Sequence, residues 1–178
     1  MPKETVMIAV FVSSDNKKED IESLFSLLNR QHRASVVSNW RTDISKSSEF
    51  LLLPLQKNNL SVSCNCAAVL FSCCGYAKIL PERCTVLCFD EQSAFYCSGK
   101  ERQIISCGMH SKDTVTLSSM ESGKPVLSLQ RRLTAFSGDI IDVGDFPLIT
   151  DEHNHRALMA ASVLLLLCGK QLAPDSFL

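Results

Sequence analysis

The uninterrupted apolar run of residues 6–12 constrains the fold more than any other feature of the chain. It stops at the polar residues 13–15, and its length and continuity are typical of a strand buried on both faces of a parallel sheet. Residues 34–38 predict a second short strand. Between the two strands, apolar residues recur at the spacing of a helix that runs to about Arg30: Ile21, Leu24, Phe25 and Leu28. This βαβ unit places the chain in the α/β class.

Three more segments extend the predicted α/β core. Residues 67–73 and 84–89 are apolar runs of strand length, and they add strands to the same sheet. Residues 43–55 begin with a capping-type sequence and continue into an apolar run stopped by Pro54, from which we predict a helix. Residues 5–90 then form a Rossmann-like, mostly parallel sheet with helices on both faces.

The second half of the chain has a different pattern. Short alternating segments separated by glycines predict a small antiparallel β meander within residues 100–150: residues 103–107, 114–120, 125–133 and 139–149. A C-terminal helix follows over residues 153–169, with a cap near residues 151–154, and a glycine and a proline end it. The length of 178 residues suits a single domain over residues 1–178.

Charge and hydropathy narrow the range of partners. Eighteen Lys and Arg stand against 19 Asp and Glu, a net charge of -1, so no basic field attracts nucleic acid or an anionic membrane. The apolar residues 157–168 are shorter than the roughly 20 residues that span a bilayer. The start of the chain carries an acid and lacks the pattern of a secretory signal. We therefore expect a cytoplasmic protein whose partner is an unknown protein or a second copy of itself.

Nine cysteines, an odd number, lie mostly within apolar stretches. This placement is typical of buried, reduced thiols. Cys64 and Cys66, together with Cys84 and Cys88, offer four thiolates for zinc as an alternative, but neither spacing matches the paired knuckles of tetrahedral sites. A disulfide framework suits small secreted domains better than this chain. We predict that no metal is bound.

Three segments of the second half occur in a recognisable order. IISCG at residues 104–108 ends a predicted strand, the meander follows, and HNHRALMAA at residues 153–161 opens a helix that closes at Gly169. CTVLCFDE at residues 84–91 is a strand that runs into acids. This order resembles the central ATP-binding domain of the Mur ligase family, which has a Tyr-Gly or Phe-Gly pair, a meander and an HNxxNxxAA helix, and an Asn-x-Asp-Asp after an earlier strand. The resemblance covers residues 84–170.

The segment after the first predicted strand, residues 14–20 (SDNKKED), lies where that family has a GTNGKTT-type phosphate loop. Such a loop works because glycines turn backbone N–H groups toward the phosphates, the lysine reaches the terminal phosphates and a hydroxyl holds magnesium. No glycine precedes Gly75 here, and Lys18 at the lysine position is followed by Glu19 and Asp20 at the hydroxyl positions. Because two carboxylates repel a triphosphate, we predict that ATP is not bound in the manner of the family.

Other positions also depart from the family pattern. Where the family has Thr-Asn and Asp-His residues that help to hold metal, residues 68–74 read AVLFSCC. The second Asn of the family's helix motif, which faces the nucleotide, is Ala157 here, and Lys78 echoes the family's modified lysine only as a lone residue in a predicted loop. The family's flanking domains have no counterpart in this chain. The resemblance therefore implies an eroded site with no catalytic residue, no metal and no cofactor.

The start of the C-terminal helix is dense in potential metal ligands. His153 and His155 lie beside Asp151 and Glu152, and histidines with acids form metal sites in many proteins. Residues two apart at the start of a helix point to different faces, however, and Asp151 and Asn154 are suited to helix capping. We interpret this segment as a cap.

Three functional hypotheses follow from the sequence. The first is a non-catalytic, degenerate Mur ligase-like domain that serves as a binding or regulatory module. The second is a nucleotide or nucleotide-sugar binding protein with four residues around the ligand: Lys17, Lys18, Asp90 and Asn154. The third is a small enzyme on a Rossmann-like sheet that uses the thiol of Cys107, with His110 as its base, and its alternative is a buried core thiol beside an exposed histidine.

Overall fold

The computed structural model describes residues 7–32, 34–45, 48–55, 66–72, 84–91, 102–118 and 124–177, together with residues 80 and 97. Its helices are α1 (Lys17–His32) and α2 (His155–Leu167). Its strands, in chain order, are β1 (Ile8–Ser13), β2 (Ala34–Val37), β3 (Thr42–Asp43), β4 (Phe50–Pro54), β5 (Cys66–Leu70), β6 (Thr85–Cys88), β7 (Gln103–Gly108), β8 (Val115–Leu117), β9 (Val126–Leu129), β10 (Leu133–Thr134), β11 (Ile140–Ile141) and β12 (Gly144–Pro147).

Ten of these strands form one mixed, mostly parallel sheet in the order β12-β9-β8-β7-β6-β5-β1-β4-β2-β3. Strands β2, β4, β1, β5, β6, β7 and β8 pair with one another in parallel. The pairs β2–β3, β8–β9 and β9–β12 are antiparallel, and β10 and β11 form a separate antiparallel hairpin before α2. The α/β, Rossmann-like fold class predicted from the sequence is therefore confirmed.

The helix predicted within residues 43–55 is wrong, because this segment contains strand β4. Strand β4 lies between β1 and β2, with Ala9 opposite Leu51 on one side and Ser35 opposite Leu51 on the other. Phe50 and Leu52 point into the core and are fully buried. A run of four apolar residues ended by Pro54 is too short for a helix that buries one face, whereas five residues suffice for a central strand.

Strand β7 also differs from its predicted place at the start of an antiparallel meander. It pairs in parallel with β6, with Thr85 opposite Gln103 and Cys88 opposite Ser106, so it continues the Rossmann-like part of the sheet. The antiparallel part begins only at the β8–β9 pair. Strand β7 thereby brings Gly108 to the same edge of the sheet as the ends of β5 and β6.

The sheet is apolar on both faces, as the continuous run in β1 predicts. Val10 and Val12 lie on the face covered by α1 and α2, and Ala9 and Phe11 lie on the opposite face. Both described helices therefore pack on one face. The described residues that cover the other face include Leu55, Leu80 and Cys97, so within the described residues the predicted helices on both faces are seen on one face.

Helix α2 is buried from Ala157 to its end at Leu167. Its apolar residues 157–161 and 163–167 belong to the main core, and Leu164, Leu165, Leu166 and Leu167 are 0–6% exposed, so this run is not a surface patch. The helix ends as predicted at Gly169, whose φ of 71° is the left-handed conformation that glycine adopts readily. Within the described residues, no helix is both long and apolar enough to span a bilayer.

Candidate functional site

The carboxyl ends of β1, β5, β6 and β7 meet at one edge of the sheet. The order of the sheet reverses at β1, because the chain runs from β1 to β2 and β4 on one side and then to β5, β6 and β7 on the other. Open α/β sheets bind their ligands outside the strand ends at such a reversal. The N-terminus of α2 reaches this edge too, since Asn154 contacts Asp20 of α1. We therefore describe this edge as the candidate site.

The connection between β1 and α1 is a short turn of residues 14–16 that side-chain hydrogen bonds hold together. The backbone N–H of Asn16 donates to Ser14 Oγ at 3.0 Å, and the hydroxyl of Ser14 donates to the carboxylate of Asp20. Asn16 Nδ2 also donates to the carboxylate of Glu19. Two of the polar groups at the start of α1 are thus satisfied by acids of the first helical turn.

Asp20 links the two helices of this face. Its side chain is buried, with the residue 7% exposed, and Oδ2 accepts from Ser14 Oγ while Oδ1 accepts from Asn154 Nδ2 at 3.0 Å. A negative charge in the first turn of a helix is stabilised by the helix dipole. The carboxylate of Asp20 therefore takes the place at the N-terminus of α1 that a bound anion could occupy.

Asn154 is the N-cap of α2, as the sequence predicts for this segment. Its side-chain oxygen accepts from the N–H of Ala157 at 3.0 Å, and its own backbone N–H donates to Glu152 Oε1 at 2.7 Å. Together with the bond to Asp20, these contacts employ both ends of the amide. We call the contacts of Ser14, Asp20 and Asn154 the junction network.

A pocket of about 400 Å³ lies between the ends of β6 and β7 and the start of α2. Its volume is in the lower part of the range of small-molecule sites. The lining mixes apolar side chains with basic and amide groups: Phe89, Cys107, Gly108, Met109, His153, Asn154, His155, Arg156 and Met159. Among these nine residues there is no carboxylate.

Arg156 lies over an aromatic pair at the rim of this pocket. Its Cζ atom is 5.0 Å from the ring centroid of Phe71 and 5.6 Å from that of Phe89. The two rings are 4.9 Å apart at an interplanar angle of 38°. A guanidinium over ring faces is stabilised by the negative face of each ring. This cluster was not predicted from the sequence, where Phe71 and Phe89 each follow a strand and Arg156 lies 67 residues after Phe89.

The predicted nucleotide contacts lie on three elements at this edge of the sheet. Of the four candidate residues, Asn154 lines the pocket. Lys18 is exposed on α1, and Asp90 is half-buried just after β6. The side chain of Lys17 lies outside the described part of the structure.

Cys107 is buried in the pocket wall, 3% exposed, with its thiol directed to the carbonyl oxygen of Ile105 at 3.8 Å. Burial raises the pKa of this thiol, and the charge of Asp113 raises it further. His110 is exposed on the loop that follows β7. A thiol that resists ionisation is a poor nucleophile, so the environment of Cys107 favours the buried-thiol interpretation.

The described part of the chain holds no group of three or more His, Cys, Asp and Glu side chains arranged for a metal ion. His153 and His155 are both exposed. Asp151 instead forms an ion pair with Arg30 at 3.1 Å, and this guanidinium lowers the pKa of the Asp151 carboxyl. Of the four cysteines of the alternative zinc site, Cys64 lies outside the described residues, while Cys66, Cys84 and Cys88 are buried.

Gly108, at the end of β7, leaves room for a carboxylate. A Cβ atom at this position would lie 2.3 Å from Asp113 Oδ2, which accepts from the N–H of His110 at 3.1 Å. We expect Gly108→Ala to lower the free energy of unfolding by about 1–2 kcal/mol, because Asp113 must turn away and lose that bond. Urea denaturation measures the change. In the double variant with Asp113→Ala the two losses should not add, and full additivity would contradict the steric account.

No family model and no curated protein sequence matches the chain. Solved structures of Mur ligases do match: MurF from Acinetobacter baumannii has a TM-score of 0.57 and 18% identity, covering 94% of this chain and 44% of that chain. The chain has a Mur ligase-like fold. A UDP-N-acetylmuramoyl-L-alanyl-D-glutamate–2,6-diaminopimelate ligase has a TM-score of 0.61 at 11% identity, covering 94% and 44%. MurF from Thermotoga maritima, solved in complex with ADP, has a TM-score of 0.55 and 11% identity, and the match covers 97% of this chain and 48% of that chain.

These matches establish the fold that the sequence resemblance implied. The chain spans less than half of the length of each of these three structures. With identities of 11–18%, the likeness concerns the backbone architecture alone. The chemistry of the site depends on the residues that this chain has there.

Proposed function

We propose that residues 1–178 form a single, non-catalytic Mur ligase-like domain that acts as a cytoplasmic binding or regulatory module. The observation that carries this proposal is the buried carboxylate of Asp20, which accepts hydrogen bonds from Ser14 and Asn154 at the N-terminus of α1. In the resemblance, this is the place where a phosphate loop holds a triphosphate. A carboxylate of the protein at this place repels a phosphate by its charge. It also occupies the donors of Ser14 and Asn154, which a phosphate would need.

Phosphoryl-transfer catalysis also depends on a metal ion that neutralises the phosphate oxygens. The hydroxyl that would hold magnesium in the phosphate loop is replaced by Glu19 and Asp20, and both carboxylates accept hydrogen bonds from neighbouring side chains. Burial raises the pKa of the Cys107 thiol, which gives little support to the cysteine-enzyme hypothesis. These residues support a domain that binds rather than one that catalyses.

A nucleotide or nucleotide-sugar ligand is the second candidate function, with Lys17, Lys18, Asp90 and Asn154 as its proposed contacts. The pocket beside Asn154 favours it, because that residue and the N-terminus of α2 line a cavity large enough for a small molecule. The similar MurF from Thermotoga maritima was solved with ADP. Such a ligand would lie toward α2 and leave the junction network intact.

Nucleotide titration separates the two candidates. We expect no stabilisation of this protein by ATP with magnesium, because Asp20 occupies the start of α1. Thermal unfolding is followed with ATP, ADP, UDP and a UDP-sugar, each with magnesium or with EDTA. A ligand at a hundredfold its Kd stabilises the folded state by about 2.7 kcal/mol, which shifts Tm by several degrees.

Magnesium alone is the control for ionic effects. A magnesium-dependent shift with ATP would overturn the non-catalytic proposal. A shift with UDP or the UDP-sugar that persists in EDTA would favour the second candidate, because metal-independent binding does not use a phosphate loop with its magnesium.

A further inference from the structure

Arg156 is an exposed cation with no acidic partner in the described part of the chain. It contacts the rings of Phe71 and Phe89, and no carboxylate pairs with it there. By contrast, Arg30, Arg41 and Arg132 each pair with an acid. A guanidinium has five N–H donors and no acceptor, and Arg156 offers its donors at the pocket that it lines.

The contacts with the two rings restrain the position of the guanidinium. A guanidinium held over aromatic faces keeps the N–H groups that the rings do not cover accessible to a ligand. Two parallel N–H donors match the two oxygens of a carboxylate or of a phosphate group. Phe71 and Phe89, fixed at the ends of neighbouring strands, thus hold Arg156 ready for a bidentate oxyanion and reduce the entropy lost on binding.

The charges around the pocket also favour an anion. His153 and His155 line it beside Arg156, and none of its nine described lining residues is acidic. The acids close to these lining residues have partners within the protein: Asp20 and Glu152 accept from Asn154, Asp113 accepts from the backbone N–H of His110, and Asp151 pairs with Arg30. These acids are occupied within the protein.

The remaining wall is apolar and of limited size. Phe89, Cys107, Met109 and Met159 provide ring, thiol and thioether surface, and Met109 is 59% exposed at the rim. Methionine side chains adapt to flat ligands because they are flexible and polarizable. A volume of about 400 Å³ suits one fused aromatic ring system rather than a whole dinucleotide.

We propose that this pocket binds a small oxyanion, a carboxylate or a phosphate monoester carried on a flat apolar group, with Arg156 as the bidentate anchor. The inference deepens the proposed binding function, on which it rests, by naming the class of ligand. Carboxylates and phosphate monoesters share the two-oxygen face that the guanidinium recognises, and separate probes distinguish them.

The test uses the two pocket methionines as reporters. Protein labelled with ¹³C at the methionine methyl groups is titrated with 1-naphthoate, 1-naphthyl phosphate and the uncharged 1-naphthamide. We expect one of the two anions, or both, to shift the methyl signals of Met109 and Met159, and the amide to bind at least tenfold more weakly. Met7, outside the pocket lining, serves as the internal reference.

Variants then assign the anchor. Arg156→Ala should weaken anion binding by about tenfold or more, and Arg156→Lys, which keeps the charge and loses the planar fork, should recover only part of it. Arg132→Ala removes an exposed arginine outside the pocket lining and should leave the affinity unchanged. Unchanged methyl signals with every probe, equal binding of the amide, or an Arg156→Ala affinity equal to that of the wild type would each overturn the inference.

The outcome is separable from that of the proposed function. A magnesium-dependent ATP shift would contradict the non-catalytic proposal even if Met109 and Met159 respond to the anions. Failure of the methyl signals to respond would contradict the oxyanion pocket but not the non-catalytic proposal, because the carboxylate of Asp20 would still accept from Ser14 and Asn154 at the start of α1.

Discussion

Replacing Leu164 by alanine is expected to lower the free energy of unfolding by about 2–5 kcal/mol. Leu164 lies in the middle of α2, is 0% exposed and belongs to the main core between the sheet and the two helices. The substitution removes buried methyl groups and leaves a cavity that a densely packed core fills only in part. Because domains of this kind are stable by only about 5–15 kcal/mol, this is the largest effect that we expect from one residue.

Urea denaturation followed by circular dichroism measures the Leu164→Ala change. Ile140→Ala is the matched control, since Ile140 is 61% exposed on β11 and its loss should change the stability by less than about 0.5 kcal/mol. Equal small effects for both variants would contradict the buried position of this face of α2.

Asn154→Ala is expected to lower the free energy of unfolding by about 2–4 kcal/mol. The change removes the N-cap of α2, which is worth about 1 kcal/mol. It also takes one donor from the buried carboxylate of Asp20, and an incompletely paired buried acceptor costs about 1–3 kcal/mol. The effect should exceed that of a simple cap because one side chain serves two helices.

Two further variants separate the cap from the contact with Asp20. Asn154→Ser retains a capping oxygen but has no amide to donate, so we expect it to recover about 1 kcal/mol of the loss. His155→Ala, an exposed neighbour in the first turn, should be close to neutral. The same urea titration measures all three, and a loss below 0.5 kcal/mol for Asn154→Ala would contradict the role given to the junction network.

The secondary structure could be predicted from the sequence wherever the residue pattern fits only one type of element. The apolar run in β1, the periodic face of α1 from Ile21 to Leu28, and the capped start and glycine end of α2 are local signals, because each depends on residues close in the chain. Residues 43–55 were different. A short apolar run before a proline suits either a strand or the end of a helix, and only the open position between β1 and β2 decides for β4.

The candidate site was predictable in part for the same reason. The acids of residues 14–20 and the cap at Asn154 are legible in the sequence, and they led to the prediction that a phosphate loop is absent. That Asp20 reaches Asn154, 134 positions later, depends on the packing of α1 against α2. The sequence contains no local trace of that contact.

Arg156 and its aromatic pair show most clearly what could not be predicted from the sequence. Phe71, Phe89 and Arg156 come from three separate segments, and each alone is an ordinary residue at the end of a strand or the start of a helix. The sequence by itself determined the α/β class, the strands and helices with unambiguous periodicity, and the absence of glycine from the turn after β1. The tertiary structure alone decided which polar groups satisfy one another and which side chains meet at the pocket, because hydrogen bonds and ring contacts join residues by distance in space.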